Sequence, residues 1–257
     1  MILYVTSFNE RLYEVTGRDM ISSFIYVKTE GDMLATYEGD VDLPSHRKII
    51  PYSLDDDKFL NDWLQDNADV IPTELGGDFS GEMDKYNFRA SQWFRKIAAL
   101  NVALKFKDKY EAIVFVDSDT VFRRTIREEY MLSVFGDAAM FYHLGPYREE
   151  IDAGIESGFI GFHMKNGGVE FLETVFSKFQ DKSYRNYRRW DDSYVFHNTV
   201  KENTSLKLKD VCNPPSREVM MAPGGGGLGR AIPYGPFVGF IKHKKGIHWQ
   251  QHGVKFE

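Results

Sequence analysis

The chain opens on a continuous apolar run, Ile2 to Val5, and carries a second, Ala112 to Val116, reading Ala-Ile-Val-Phe-Val. Runs without polar alternation, rich in β-branched and aromatic residues, predict strands covered on both faces, as in a parallel sheet packed between helices. Ala138 to Tyr142 and Phe159 to Phe162 predict two shorter strands of the same kind. Elsewhere the apolar period lengthens. In Phe88 to Leu104, the residues Trp93, Ile97, Leu100 and Leu104 fall at i, i+4, i+7 and i+11, an apolar stripe on one helix face. Val169 to Phe179 repeats the habit with Phe171, Leu172, Val175, Phe176 and Phe179. Strands alternating with helices predict a layered α/β fold, and no linker or repeat divides residues 1–257 into more than one domain. The Pro- and Gly-rich stretch from Pro214 to Pro236 predicts a long loop, of the kind that is often functional.

Composition narrows the function classes. The 257 residues include 32 Lys and Arg against 38 Asp and Glu, a net charge of −6, with no long basic block. Such a chain is poorly suited to nonspecific nucleic-acid binding, which works by neutralising phosphates. Cys212 is the only cysteine, which excludes an intrachain disulfide framework and a thiolate zinc cluster. The apolar runs fall far short of the roughly 20 residues that span a bilayer, and Met1 to Phe8 has no basic leader segment. The expectation is a soluble, cytoplasmic protein without a transmembrane segment.

The sharpest chemical feature follows the central strand. Ala112 to Val116 runs into Asp117-Ser118-Asp119, so two carboxylates emerge together at the carboxyl edge of the sheet, where open α/β folds bind ligands. Two hard oxygen ligands from one turn suit Mg²⁺ or Mn²⁺, which keep positions open for substrate phosphate oxygens. Asp and Ser also serve in ordinary polar turns that cap a strand, and the motif alone leaves both readings open.

Asp117-Ser-Asp119 after a hydrophobic strand resembles the DxD of GT-A fold glycosyltransferases, and three further segments occur in the order found in the retaining family eight. Glu156-Ser157-Gly158 leads into the apolar Phe159 to Phe162, as the family's Asn-Ala-Gly does, with Glu in the place of Asn. Asp191-Asp192-Ser193-Tyr194-Val195-Phe196 is similar to Asp-Gln-x-x-Leu-Asn, with Asp192 in the Gln position. His243-Lys244-Lys245-Gly246 follows the apolar Phe237 to Ile241 and resembles the C-terminal His-x-x-Gly.

The resemblance implies a Rossmann-like GT-A domain, three layers α/β/α around a mixed, mainly parallel sheet. It implies a hexosyltransferase that moves sugar from a nucleotide sugar, with UDP as the expected carrier, to a hydroxyl-bearing glycan or other acceptor, with retention. Asp117, Asp119 and His243 would then hold Mn²⁺ or Mg²⁺. A divalent cation there stabilises the charge that develops on a nucleoside-diphosphate leaving group. Lys244, Lys245, Gly246 and Ser118 fall beside that cation as candidate phosphate contacts, and Thr6, Ser7 and Asn9 at the end of the first strand as nucleoside contacts.

Other residues keep two readings. Trp93-Phe94-Arg95 looks like the family's Tyr-Ala-Arg, whose Arg contacts donor. At about 100° per residue, however, Arg95 points away from the apolar stripe, while Arg89 and Lys96 flank it. Asp191 and Asp192 could bind the donor sugar near its anomeric carbon or start a helix as N-cap residues. Asp152 and Glu156 are further carboxylates for the catalytic role, and an inverting enzyme would use one as general base. Gly224 to Gly227 followed by Arg230 lacks the ending of a phosphate loop, so a lid over the donor or a plain loop remains. Of the aromatic residues, Tyr142, Tyr147, Tyr184, Tyr187, Trp190, Tyr234 and Trp249 are the set that could stack on a sugar or base.

Two other classes compete. Asp117-x-Asp119 after a strand also resembles the first motif of haloacid-dehalogenase-like phosphatases, in which the first Asp is a nucleophile. A non-catalytic carbohydrate-binding domain would also fit the aromatic content of 15%.

Overall fold

The computed structural model describes residues 1–71, 87, 89–221 and 231–244. Among these, seven strands form one sheet in the order β3-β2-β1-β4-β7-β6-β8. In chain order they are β1 (Ile2–Asn9), β2 (Asp32–Glu38), β3 (Ile49–Ser53), β4 (Ala112–Val116), a short β5 (Thr120–Phe122) outside the sheet, β6 (Met140–Tyr142), β7 (Phe159–His163) and β8 (Leu208–Asp210). Only β7 runs against the rest of the sheet, pairing antiparallel with β4 on one side and β6 on the other. The sheet is therefore mixed and mainly parallel, and its layering is the α/β/α arrangement that the alternating periods predict.

The sheet faces follow the two-residue period of a strand. Leu3, Val5, Ile113 and Phe115 face one apolar cluster, while Ile2, Tyr4, Val114 and Val116 face the other. Helices cover both. On the second face lie α1 (Arg18–Tyr26), through Met20, Ile21 and Phe24, and α4 (Glu128–Phe135), through Met131, Val134 and Phe135. On the first face lie α2 (Lys58–Asn67), α3 (Ala90–Leu104), α6 (Gly168–Gln180) and α7 (Asp192–Glu202). Two short helices, α5 (Gly145–Glu150) and α8 (Arg217–Met221), lie among the described residues as well.

The five apolar residues predicted to face inward on α6 are all buried. α3 departs from the one-sided stripe. Trp93 and Leu104 are only half-buried, whereas Phe94, Lys96, Ala98, Val102 and Ala103 are buried with Ile97 and Leu100. The reason is that α3 packs on β1 and is itself covered by α2, α6 and α7, so it has almost no solvent face. Phe94 stacks on Trp63 of α2 with ring centroids 4.0 Å apart and meets Phe179 of α6 edge-on. Between Pro214 and Pro236, the described residues form α8 and a 3₁₀ turn at Ile232–Tyr234, and residues 222–230 lie outside the described set. No helix of the described residues is long and apolar enough to cross a membrane.

Candidate active site

β1 and β4 run in parallel register from Ile2↔Ala112 to Val5↔Phe115, so the ends of both strands emerge at the same sheet edge. Asp117 is the first residue past β4, and its N–H donates to Gly158 O (2.8 Å) just before β7 begins. The turn Asp117–Asp119 then delivers the chain into β5. A further strand, β9 (Ile241–His243), pairs antiparallel with β5 in the register Thr120↔His243. This two-stranded ribbon returns His243 to the acidic turn from 124 positions away in sequence. Lys244 N–H donates to Asp119 O (3.0 Å) and fastens that end of the ribbon.

The three groups converge. Single ligand atoms of Asp117, Asp119 and His243 lie within 4.8 Å of one another. His243 Nε2 is 3.0 Å from Asp119 Oδ1 and 3.6 Å from Asp117 Oδ2. Its other ring nitrogen, Nδ1, is 3.6 Å from Glu156 Oε1. Burial pushes the His243 pKa down, but Asp119, Asp117 and Glu156 around the ring more than reverse this and raise it well above the usual value.

The residues suit a hard divalent cation. Asp119 Oδ1 is buried, and the described residues offer it His243 Nε2 at 3.0 Å, so a cation between the two would take up both atoms. Gly158 keeps the space clear. A Cβ there would lie 2.6 Å from Asp117 Oδ2 and 2.9 Å from His243 Cε1. Two carboxylates and an imidazole form a donor set that Mn²⁺ accepts readily and Mg²⁺ accepts through its oxygens.

Behind the cluster lies a buried ion-pair network. Lys96 Nζ, on α3, is 2.9 Å from Asp117 Oδ1 and 2.8 Å from Asp192 Oδ2. It also donates to Ser157 Oγ (3.0 Å) and Ser157 O (3.2 Å). Burial alone would lower the Lys96 pKa, but the two carboxylates raise it, and the ammonium is charged. The same contact, with His243, holds Asp117 below the usual carboxylate range despite its burial. Asp117 still keeps a third of its side chain open to solvent, whereas Lys96 and Asp192 are closed in.

Asp191 occupies the N-cap position of α7 but makes no capping bond from its side chain. It turns instead to Arg189, which donates through Nε and Nη2 to its two oxygens, each at 2.8 Å. Burial raises the Asp191 pKa and Arg189 opposes that rise. No periodicity or motif in the sequence marks Arg189. A basic residue two positions before the Asp-Asp pair is its only trace.

The remaining candidates scatter around this centre. Glu156 is buried, and its Oε2 accepts from the N–H groups of Ala231 and Ile232 (2.8 Å to the latter). Asp152 is half exposed in a left-handed backbone conformation, φ 49°, and its carboxylate meets Tyr194 Oη (3.0 Å) and Arg188 (2.7 Å). Ser118 is buried, and Thr16 Oγ1 donates to its hydroxyl (3.4 Å) from the π-helical turn Tyr13–Gly17. Thr6 is buried and Ser7 half-buried at the end of β1. Asn9 Oδ1 caps the helical turn Glu10–Leu12 by accepting from Leu12 N–H (2.8 Å).

Arg95 is not solvated. It forms a fork-shaped pair with Glu38 at the end of β2 and donates to Ser91 O (2.6 Å). Arg89 sits half-buried at the start of α3. Lys244 Nζ lies 3.5 Å from Asp19. Lys245, Gly246, Gly224 to Gly227, Arg230 and Trp249 fall outside the described residues. Among the aromatics, Tyr184 is fully buried and hydrogen-bonds to Asn67, so it packs in the core.

The architecture is the GT-A fold. Mouse xyloside xylosyltransferase 1, in its apo form, superimposes over 95% of this chain and 98% of its own, with a TM-score of 0.53 at 10% identity. An active-site mutant of LgtC superimposes over 95% of this chain and 86% of its own, with a TM-score of 0.51 at 12% identity. No protein-family model and no curated protein sequence matches the chain.

Proposed function

We propose that the chain is a metal-dependent glycosyltransferase that moves a hexose from a nucleotide sugar, with UDP as carrier, to a hydroxyl acceptor with retention. The observation that carries this reading is the convergence of Asp117, Asp119 and His243 at the carboxyl edge of a sheet with the GT-A fold. Asp117, Asp119 and His243 would hold Mn²⁺ or Mg²⁺, which when bound supplies positive charge against the departing diphosphate.

The protein's own groups then have separable tasks. Asp191, held by Arg189, would bind donor-sugar hydroxyls, and Asp192 follows it in contact with Lys96. Lys96 keeps Asp117 ionised and holds Asp117 and Asp192 at fixed separation, so neither has to reorganise during reaction. In the transfer, the acceptor oxygen bonds to the anomeric carbon as the bond to the diphosphate oxygen breaks. The acceptor's proton leaves with the diphosphate. The phosphatase reading loses its footing because Asp117, its nucleophile, follows a strand of a GT-A sheet and lies between Lys96 and His243.

The test is a panel of nucleotide sugars incubated with the full chain and Mn²⁺, with release of nucleoside diphosphate as the readout. The expected result is slow hydrolysis of one donor, abolished by Asp119→Asn. Turnover of a phosphomonoester with no release from any nucleotide sugar would favour the phosphatase. Sugar binding with no turnover of either substrate would favour a binding domain.

A further inference from the structure

Glu156 is 3% exposed and spans two parts of the site with its two oxygens. Oε2 takes the backbone N–H groups of Ala231 and Ile232, and Oε1 faces His243 Nδ1 at 3.6 Å. The opposite ring nitrogen, Nε2, faces Asp119 Oδ1 and Asp117 Oδ2. The imidazole thus stands between carboxylates on both sides. Which nitrogen keeps its proton decides whether Nε2 has a lone pair for a cation held beside the two aspartates.

We propose that Glu156 is a positioning residue of the metal centre. With a cation bound it holds the His243 proton on Nδ1, which leaves the Nε2 lone pair for the ion that Asp117 and Asp119 would also ligate, and it fastens the chain at Ala231–Ile232 to the back of the same ring. The proposal rests on the metal reading above. A carboxylate opposite a ligating histidine fixes the tautomer and raises the basicity of the other nitrogen, and loss of such a partner typically costs about 10–100-fold in metal affinity. Oε2 takes two backbone N–H groups and Oε1 faces the His243 ring within a buried site, so the residue acts through His243 and does not serve as a general base on substrate.

Glu156→Gln separates the two tasks. Ala231 and Ile232 N–H groups need an acceptor, so a Gln keeps its carbonyl oxygen there and turns its NH₂ toward His243 Nδ1. A donor facing Nδ1 drives the ring proton to Nε2 and removes the lone pair from the metal side. The experiment compares wild type, E156Q and E156A of the full chain. Mn²⁺ affinity is followed by electron paramagnetic resonance, the His243 tautomer by ¹⁵N shifts without metal at a pH where the ring is neutral, and protection of the Ala231 and Ile232 amides by hydrogen exchange.

The expected result for E156Q is the inverted tautomer, Mn²⁺ affinity lower by about 10–100-fold, and amide protection kept. E156A is expected to lose affinity and protection together. If wild type binds Mn²⁺ and E156Q matches it in affinity and tautomer, the positioning role is wrong while the metal site stands. If wild type itself binds no Mn²⁺, the metal reading fails and the proposal with it.

Discussion

The ammonium of Lys96 lies 2.8 Å from the carboxylate of Asp192, and both groups are buried. The same ammonium is 2.9 Å from Asp117. One cation on α3 therefore joins the acidic turn after β4 to the first residue of α7, two elements far apart in sequence. Removing one partner of a buried ion pair leaves an uncompensated charge, at a cost of about 3–5 kcal/mol. Lys96→Met is expected to lose stability of that order in urea unfolding, with Asp117 and Asp192 left facing each other. A midpoint equal to that of wild type would show that the network contributes little.

Arg189 and Asp191 make the second buried pair, and its geometry is that of a guanidinium fork on a carboxylate. Arg189→Leu strands Asp191 in surroundings that already raise its pKa, so a loss of about 3 kcal/mol in unfolding free energy is expected. Arg189→Lys should recover only part of this, because an ammonium cannot make both bonds at once. Full recovery by Lys would mean that charge alone matters here.

Gly158 faces the metal cluster, and its role is spatial. The Cβ of an alanine would press on Asp117 Oδ2 and on the His243 ring. Gly158→Ala is expected to fold and to lose Mn²⁺ affinity by about an order of magnitude, comparable to the loss of a group that orients a ligand. Calorimetric titration with Mn²⁺ checks this, and unchanged affinity would place the cation elsewhere.

His143 is fully buried, with Nδ1 3.0 Å from Phe159 O, and burial lowers its pKa to about 4. The unfolded chain takes up this proton near pH 6.5, whereas the folded chain does so only near 4. Between those values the unfolded state binds more protons, so stability falls as pH falls, by up to about 1.4 kcal/mol per pH unit for this group. Stability is fully present above the unfolded value. His143→Gln, whose side-chain amide can still donate to Phe159 O, is expected to flatten the stability profile between pH 6.5 and 4. An unaltered slope would assign it to other groups.

Parts of this site were legible in the sequence for identifiable reasons. β4 and its acidic turn stand out because five consecutive apolar residues fit a strand covered on both faces, and two carboxylates follow at once. The flanking position of Lys96 follows from helical angles alone. β2 and β3 carry no continuous apolar run of β4's length. β2 mixes Asp32, Thr36 and Glu38 with its apolar residues, and β3 contains Pro51, tolerable because β3 is the sheet edge and a proline there need not donate to a neighbour. The apolar stripe on α3 misled because a helix covered on every side buries residues that no single stripe includes. Glu156, Arg189 and Ser157 act through contacts set by the packing of β7, β9 and α7, which no local pattern encodes.

The central claim is that Asp117, Asp119 and His243 bind a divalent cation which in turn holds a nucleoside diphosphate. Thermal unfolding of the full chain with UDP, with Mn²⁺, and with both together tests it directly. Stabilisation by UDP that requires Mn²⁺ and disappears in Asp119→Asn is the predicted result. An equal shift with UDP alone, or none with both, would contradict it.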